Sequence, residues 1–78
     1  MFYLINHNAN PSVIGLFDSM DQAAMRAFEL HGNVPSNDFL DVASPSDIFE
    51  AKQTAKNSTM DNWEIVEEAD YRYLTESN

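Results

Sequence analysis

The side chains with catalytic potential include two histidines and several serines, and none of them stands in a recognised catalytic pattern. His7 and His31 are far apart in the sequence and match no metal-ligand spacing. No serine lies in the G-x-S-x-G sequence of a hydrolase nucleophile elbow. Gly15 and Gly32 are the only glycines, so there is no glycine-rich loop to hold a phosphate. We therefore expect neither an enzyme nor a cofactor-binding protein.

Carboxylates are the more prominent chemical group. Five of them cluster near the end of the chain: Asp61, Glu64, Glu67, Glu68 and Asp70. The cluster lacks the loop spacing and central glycine of a calcium-binding EF-hand. On a strand, neighbouring acids point to opposite faces, which breaks up a compact cation cage. We therefore expect no metal site here, and we interpret the cluster as a solvated or partner-facing surface.

The charge balance favours a protein partner. The chain carries 13 acidic and 4 basic residues, a net charge of -9. Direct nucleic-acid binding needs clustered Lys and Arg, so the composition argues against it and equally against anionic membranes. The complement of an acidic surface is a basic surface on a larger protein. The alternative is that acidity only keeps the protein soluble.

Length and composition indicate one domain, residues 1–78. Hydrophobic residues make up 44% of the chain, so it should fold despite its small size. Cysteine is absent, which excludes a disulfide framework and favours the reducing cytoplasm. No apolar run approaches the ~20 residues of a membrane span, and the N-terminus has no basic region typical of a signal peptide.

The segment SMDQAAMRAFELHG predicts an amphipathic helix over residues 19–32. Ser19 is the expected N-cap with Gln22 three residues later, and Gly32 is the expected stop. The side chains predicted to share its core-facing side are Met20, Ala23, Ala24, Ala27, Leu30 and His31. The alanines matter because a face of small side chains lets a helix lie close to a sheet.

A β-hairpin is predicted before this helix and a second helix after it. The runs FYLINH (2–7) and VIGLF (13–17) are apolar and separated by a turn of about four residues. They are apolar on both faces, which predicts central strands, or strands covered by helices on one side and a partner on the other. Gly15 suggests a bulge or a close approach by the helix. Ser44 and Pro45 predict a helix running to about Lys56, and residues 33–44 read as a short helix or an irregular segment.

Residues 62–75 predict a second hairpin. With Ala69-Asp70 as the turn, the core face would carry Trp63, Ile65, Glu67, Arg72 and Leu74. Ala-Asp is not a favoured hairpin turn, so a longer loop with a shifted register, or a helix, is the alternative. The complete pattern predicts an α+β fold: a small two-layer domain of β-β-α-α-β-β order, with an antiparallel sheet of two hairpins and two helices on one face.

In size, acidity and lack of catalytic residues, the chain resembles small intracellular proteins that phages and mobile elements use against host machinery, such as anti-restriction and anti-CRISPR proteins. The resemblance rests on composition and on the acidic segment DNWEIVEEADYRY. It implies a non-enzymatic inhibitor that sets an acidic surface against a basic, nucleic-acid-binding groove. The residues expected to bind the partner are Asp61, Glu64, Glu67, Glu68, Asp70 and Tyr71.

The alternative hypothesis is a structural or regulatory subunit. It would self-associate through an apolar sheet face carrying Tyr3, Ile5, Ile14 and Leu16. The assembly expected from the sequence is a monomer or a weak homodimer.

Overall fold

In the part of the chain that the structure describes, a three-stranded antiparallel sheet packs with two helices. The computed structural model describes residues 1–32, 34, 36, 42–55 and 60–71. Its elements are, in chain order, β1 (Phe2–Asn6), β2 (Val13–Phe17), α1 (Met20–His31), α2 (Pro45–Thr54) and β3 (Trp63–Glu67). A helical turn, residues 68–71, follows β3. The predicted α+β fold is confirmed.

β1 is the central strand of the sheet, whose order is β2-β1-β3. It pairs antiparallel with both neighbours: Tyr3 lies opposite Leu16 on β2 and Val66 on β3. Leu4 and Ile5, which point to opposite faces, are both buried. The apolar character of both faces therefore correctly predicts a central strand for β1. β2 is also apolar on both faces in sequence, but it is an outer strand in the described part of the sheet.

A β-bulge shapes the first hairpin. Leu4 pairs with Gly15 and Ile5 with Val13, so Ile14 is the extra residue. A Cβ on Gly15 would lie 3.3 Å from the Phe17 ring. The predicted bulge is confirmed. The group that lies close to Gly15 is the Phe17 ring of the same strand. The connection between the strands covers residues 7–12 and is longer than predicted.

Both ends of α1 are built as the sequence predicts. The Ser19 hydroxyl accepts a hydrogen bond of 3.2 Å from the Gln22 N–H. The Gln22 side chain in turn accepts one of 3.3 Å from the Asp18 N–H, one residue before the cap. Gly32 has a left-handed backbone conformation with φ 79°, and its N–H donates a hydrogen bond to the Glu29 carbonyl. These local contacts satisfy backbone groups that a helix end leaves unpaired.

The buried side of α1 differs from the predicted one. Phe28 is buried although it is outside the predicted set, and the predicted Met20 and His31 are only half-buried. Ala23, Ala24, Ala27 and Phe28 are fully buried, whereas Leu30 is 46% exposed. The prediction for Leu30 is therefore wrong, because the buried stripe is centred closer to Phe28. At 100° per residue, Leu30 falls just outside it.

α2 packs against α1. The Ser44 hydroxyl accepts a 3.3 Å hydrogen bond from the Asp47 N–H, which confirms the predicted start. The helix ends at Thr54, two residues before the predicted end. Ile48 and Phe49 are its buried residues, and the Phe49 ring meets the Phe28 ring edge-on at 6.1 Å.

One hydrophobic core lies between the sheet and the helices. Its buried members are Leu4, Ala23, Ala24, Ala27, Phe28, Ile48, Phe49, Met60 and Trp63. Side chains of both helices share this core with Leu4 of β1 and Trp63 of β3. Both helices therefore pack on the same face of the sheet. The helix starts are also linked, because Asp21 accepts hydrogen bonds from the Ser46 hydroxyl at 2.8 Å and the Ser46 N–H at 3.2 Å.

The second hairpin is only partly as predicted. β3 is a strand, and Trp63 faces the core. The predicted turn at Ala69-Asp70 is wrong, because residues 68–71 are helical. That turn carries Tyr71 to the Tyr3 ring, at 4.4 Å between ring centroids. The rest of the predicted return strand, residues 72–75, lies outside the described residues, as does most of the predicted segment 33–44.

Replacing Ala27 with aspartate should unfold the domain or lower its stability by about 4 kcal/mol, because the carboxylate would be buried without a partner. Thermal and urea unfolding followed by circular dichroism measure the effect. Leu30→Asp is the matched control: it adds the same charge to the same helix at an exposed position, and should cost about 1 kcal/mol. Equal losses in the two variants would mean that α1 is packed differently.

Candidate functional site

The five clustered acids lie along and beside the outer strand β3. Asp61 precedes the strand, Glu64 and Glu67 lie on it, and Glu68 and Asp70 follow it in the helical turn. All are exposed except Glu68, which is half-buried. The described residues 60–71 contain neither lysine nor arginine. We call these five carboxylates the acidic edge.

The acidic edge presents charge on both sides of the sheet margin. Glu64 pairs with Ile5 and Glu67 with Phe2, and those two partners point to opposite faces of β1. The two carboxylates therefore flank the strand, separated by about 10 Å along it at the usual rise per residue. The result is a negatively charged ridge and not a flat acidic face.

Glu64 is the one member of the acidic edge with a described ion-pair partner. Its Oε2 lies 2.9 Å from Nε2 of His7, and both side chains are about half exposed. The His7 N–H also donates to the Asn62 carbonyl at 2.8 Å, which holds the two segments together. Exposed pairs of this kind contribute little to stability. Sequence reasoning assigned His7 no role, and only the pairing of β1 with β3 brings it to Glu64.

An open cavity of about 400 Å³ lies beside this pair and is lined by His7, Gln53, Asp61, Trp63 and Glu64. Among the described residues, no group of three or more His, Asp or Glu side chains could hold a metal ion. No buried polar side-chain atom in that part of the chain lacks a hydrogen-bond partner. What the region offers a partner is exposed negative charge.

Tyr71, the sixth residue predicted to bind a partner, belongs to the sheet face away from the helices. It is half-buried because its ring packs on Tyr3. Val66, opposite Tyr3 on β3, is buried. Tyr71 therefore supports the sheet beside the acidic edge, with part of its surface left exposed.

The four residues predicted for self-association do not form one exposed surface. Ile5 is buried, Tyr3 packs against Tyr71, and Leu16 is 40% exposed. Ile14 packs against the helix-side core. Placing Ile14 beside Leu16 was wrong because the bulge adds a residue to β2 and turns this side chain towards the core.

Within the described ranges, no helix has both the length and the apolar character needed to cross a membrane. The chain matches no known protein family, no curated protein and no solved structure.

The contact between Tyr3 and Tyr71 should fix the helical turn on the sheet. A double-mutant cycle of Tyr3→Leu and Tyr71→Leu, measured by urea unfolding, should give a coupling energy of about 0.5–1.5 kcal/mol. Tyr71→Phe keeps the ring and serves as the control, with most of the coupling retained. Strictly additive losses would contradict the described position of residues 68–71.

Proposed function

We propose that this protein is a non-enzymatic binding module that sets its acidic edge against the basic, nucleic-acid-binding surface of a larger protein and thereby inhibits it. The observation that carries the proposal is the concentration of five carboxylates, four of them exposed, around one outer strand. Lysine and arginine are absent from the described stretch 60–71. Opposite charges on the partner would speed encounter and fix the orientation of binding.

The arrangement suits a surface that otherwise binds phosphates. Such surfaces attract a nucleic-acid backbone through clustered Lys and Arg, with little dependence on sequence. A ridge of carboxylates can therefore occupy sites in a groove that phosphates would fill.

The acidic edge is also held on a firm support. β3 is hydrogen-bonded to the central strand, and Trp63 and Val66 anchor it on its two faces. The Glu68 N–H donates to the Met1 carbonyl at 2.9 Å, which extends the pairing beyond the strand. A preorganised surface loses less conformational entropy on binding than a mobile one.

Composition suggests the biological setting. A small acidic inhibitor without catalytic residues fits proteins of phage or mobile-element type, such as anti-CRISPR and anti-restriction proteins, acting in the host cytoplasm. The alternative function, self-association as a structural or regulatory subunit, has less support. Of its four residues, Leu16 is the most exposed, while Ile5 and Ile14 are directed into packed regions.

Reversing two charges of the acidic edge should abolish partner binding without unfolding the protein. Glu64→Lys with Asp70→Lys changes exposed residues, so the melting temperature should move little. Capture from a lysate of the encoding organism or its host should recover a nucleic-acid-binding protein with wild type and lose it with this variant. Capture should also weaken as salt rises, because exposed charges are screened within about 10 Å at ordinary ionic strength.

The matched control is Asp47→Lys with Glu50→Lys, two exposed residues of α2. It changes the net charge by the same amount, and it should retain the captured protein. Duplex DNA added to the complex should release this protein if both occupy one groove. Undiminished binding by the acidic-edge variant, or a stable ternary complex with DNA, would contradict the proposal.

A further inference from the structure

The outer strand β2 has backbone groups that point away from the sheet. The Asn6 N–H donates to Ser12 on the β2 side, whereas the His7 N–H donates to Asn62 on the β3 side. Successive residues of a central antiparallel strand bond alternately to its two neighbours. Tyr3 and Ile5 therefore bond towards β3. Their partners on β2, Leu16 and Val13, turn their N–H and C=O groups outward.

This edge lacks most of the features that protect outer strands from pairing. Proteins commonly block such edges with charged residues or proline. β2 has the sequence VIGLF, with neither, while the opposite outer strand carries Glu64 and Glu67. The bulge at Ile14 interrupts the strand, but Gly15 to Phe17 continue in regular register with β1. Leu16, in this regular part, is 40% exposed.

The surroundings of β2 indicate what could pair with it. A shallow groove of about 430 Å³ lies beside the end of the strand and is lined by Phe17, Asp21, Gln22, Met25, Arg26 and Glu29. Its apolar part would take an apolar side chain. Arg26 is paired with Glu29 at 3.2 Å. Asp18, which directly follows β2, and Asp21 leave the area negatively charged.

Charge decides whether the molecule that pairs with β2 is a second copy of this chain or another protein. Two copies of this chain would each bring a net charge of -9, and self-repulsion opposes their association. An extended segment that alternates apolar and basic residues is complementary to both the uncharged strand and the acids beside it. Strand addition of this kind draws affinity from main-chain hydrogen bonds and specificity from alternate side chains.

We propose that the outer edge of β2 is a second binding site, which takes an extended apolar-basic segment of another protein as an added strand. β2 and β3 lie on opposite sides of β1. The site is therefore separate from the acidic edge and does not depend on the proposed function.

The test uses a seven-residue peptide of alternating lysine and isoleucine, titrated into the ¹⁵N-labelled full chain at about 150 mM salt. The amide signals of Val13 and Leu16 should shift. Two N-methylated peptides, one methylated at odd and one at even positions, each block hydrogen bonding along one peptide edge. One should bind about tenfold more weakly than the other, because only one edge pairs with β2. Equal binding by the two peptides would overturn strand addition.

Variants of the protein locate the site. Leu16→Pro removes one outward N–H while leaving the pairing with β1, and should weaken binding about tenfold. Leu16→Ala keeps that N–H and should bind within about twofold of wild type. The acidic-edge variant Glu64→Lys with Asp70→Lys should also bind the peptide normally. Shifts centred on β3, or loss of binding in that variant, would overturn the assignment to β2. A stable dimer in light scattering that Leu16→Pro disrupts would replace the proposed occupant by a second copy.

Discussion

The close approach of α1 to the sheet is the contact on which the rest of this small domain depends. Ala23, Ala24 and Ala27 are fully buried and place no side-chain atoms beyond Cβ between the helix and the strands. The space beside this contact is filled by large, fully buried side chains, among them Phe28 and Phe49. A chain of this length buries only ~60% of the surface it exposes when unfolded, so it has few contacts to spare.

The features that the sequence predicts correctly are those that local chemistry decides. Ser19, Gly32 and Ser44 act on backbone groups within a few residues of themselves, so their types and spacing suffice to place the helix ends. The same holds for the strand character of β1 and for the bulge near Gly15. The exposure of four of the five acids is equally local, because an unpaired carboxylate is costly to bury.

The features that the sequence does not predict depend on contacts between distant segments. Phe28 and Leu30 lie at opposite margins of the buried stripe of α1. A small rotation of the helix would therefore exchange which of them is buried, and the packing of Phe49 from α2 against Phe28 favours the burial of Phe28. Tyr71 is strand-prone by type, yet it lies in a helical turn. Its ring packs there against Tyr3, which is far away in the sequence. The same applies to the candidate site: the sequence identifies its acids, but the pairing of β1 with β3 determines that they form a ridge along the sheet margin.

The central position of β1 has a consequence for folding. β1, β2 and α1 are consecutive in the chain and can assemble from local contacts, whereas residues 63–67 must close a long loop to reach β1. Loop closure over such distances slows folding. During synthesis, one side of β1 therefore stays unpaired until β3 has been made. An incomplete chain exposes the edge of its central strand, and this is the stage at which the protein is most open to aggregation.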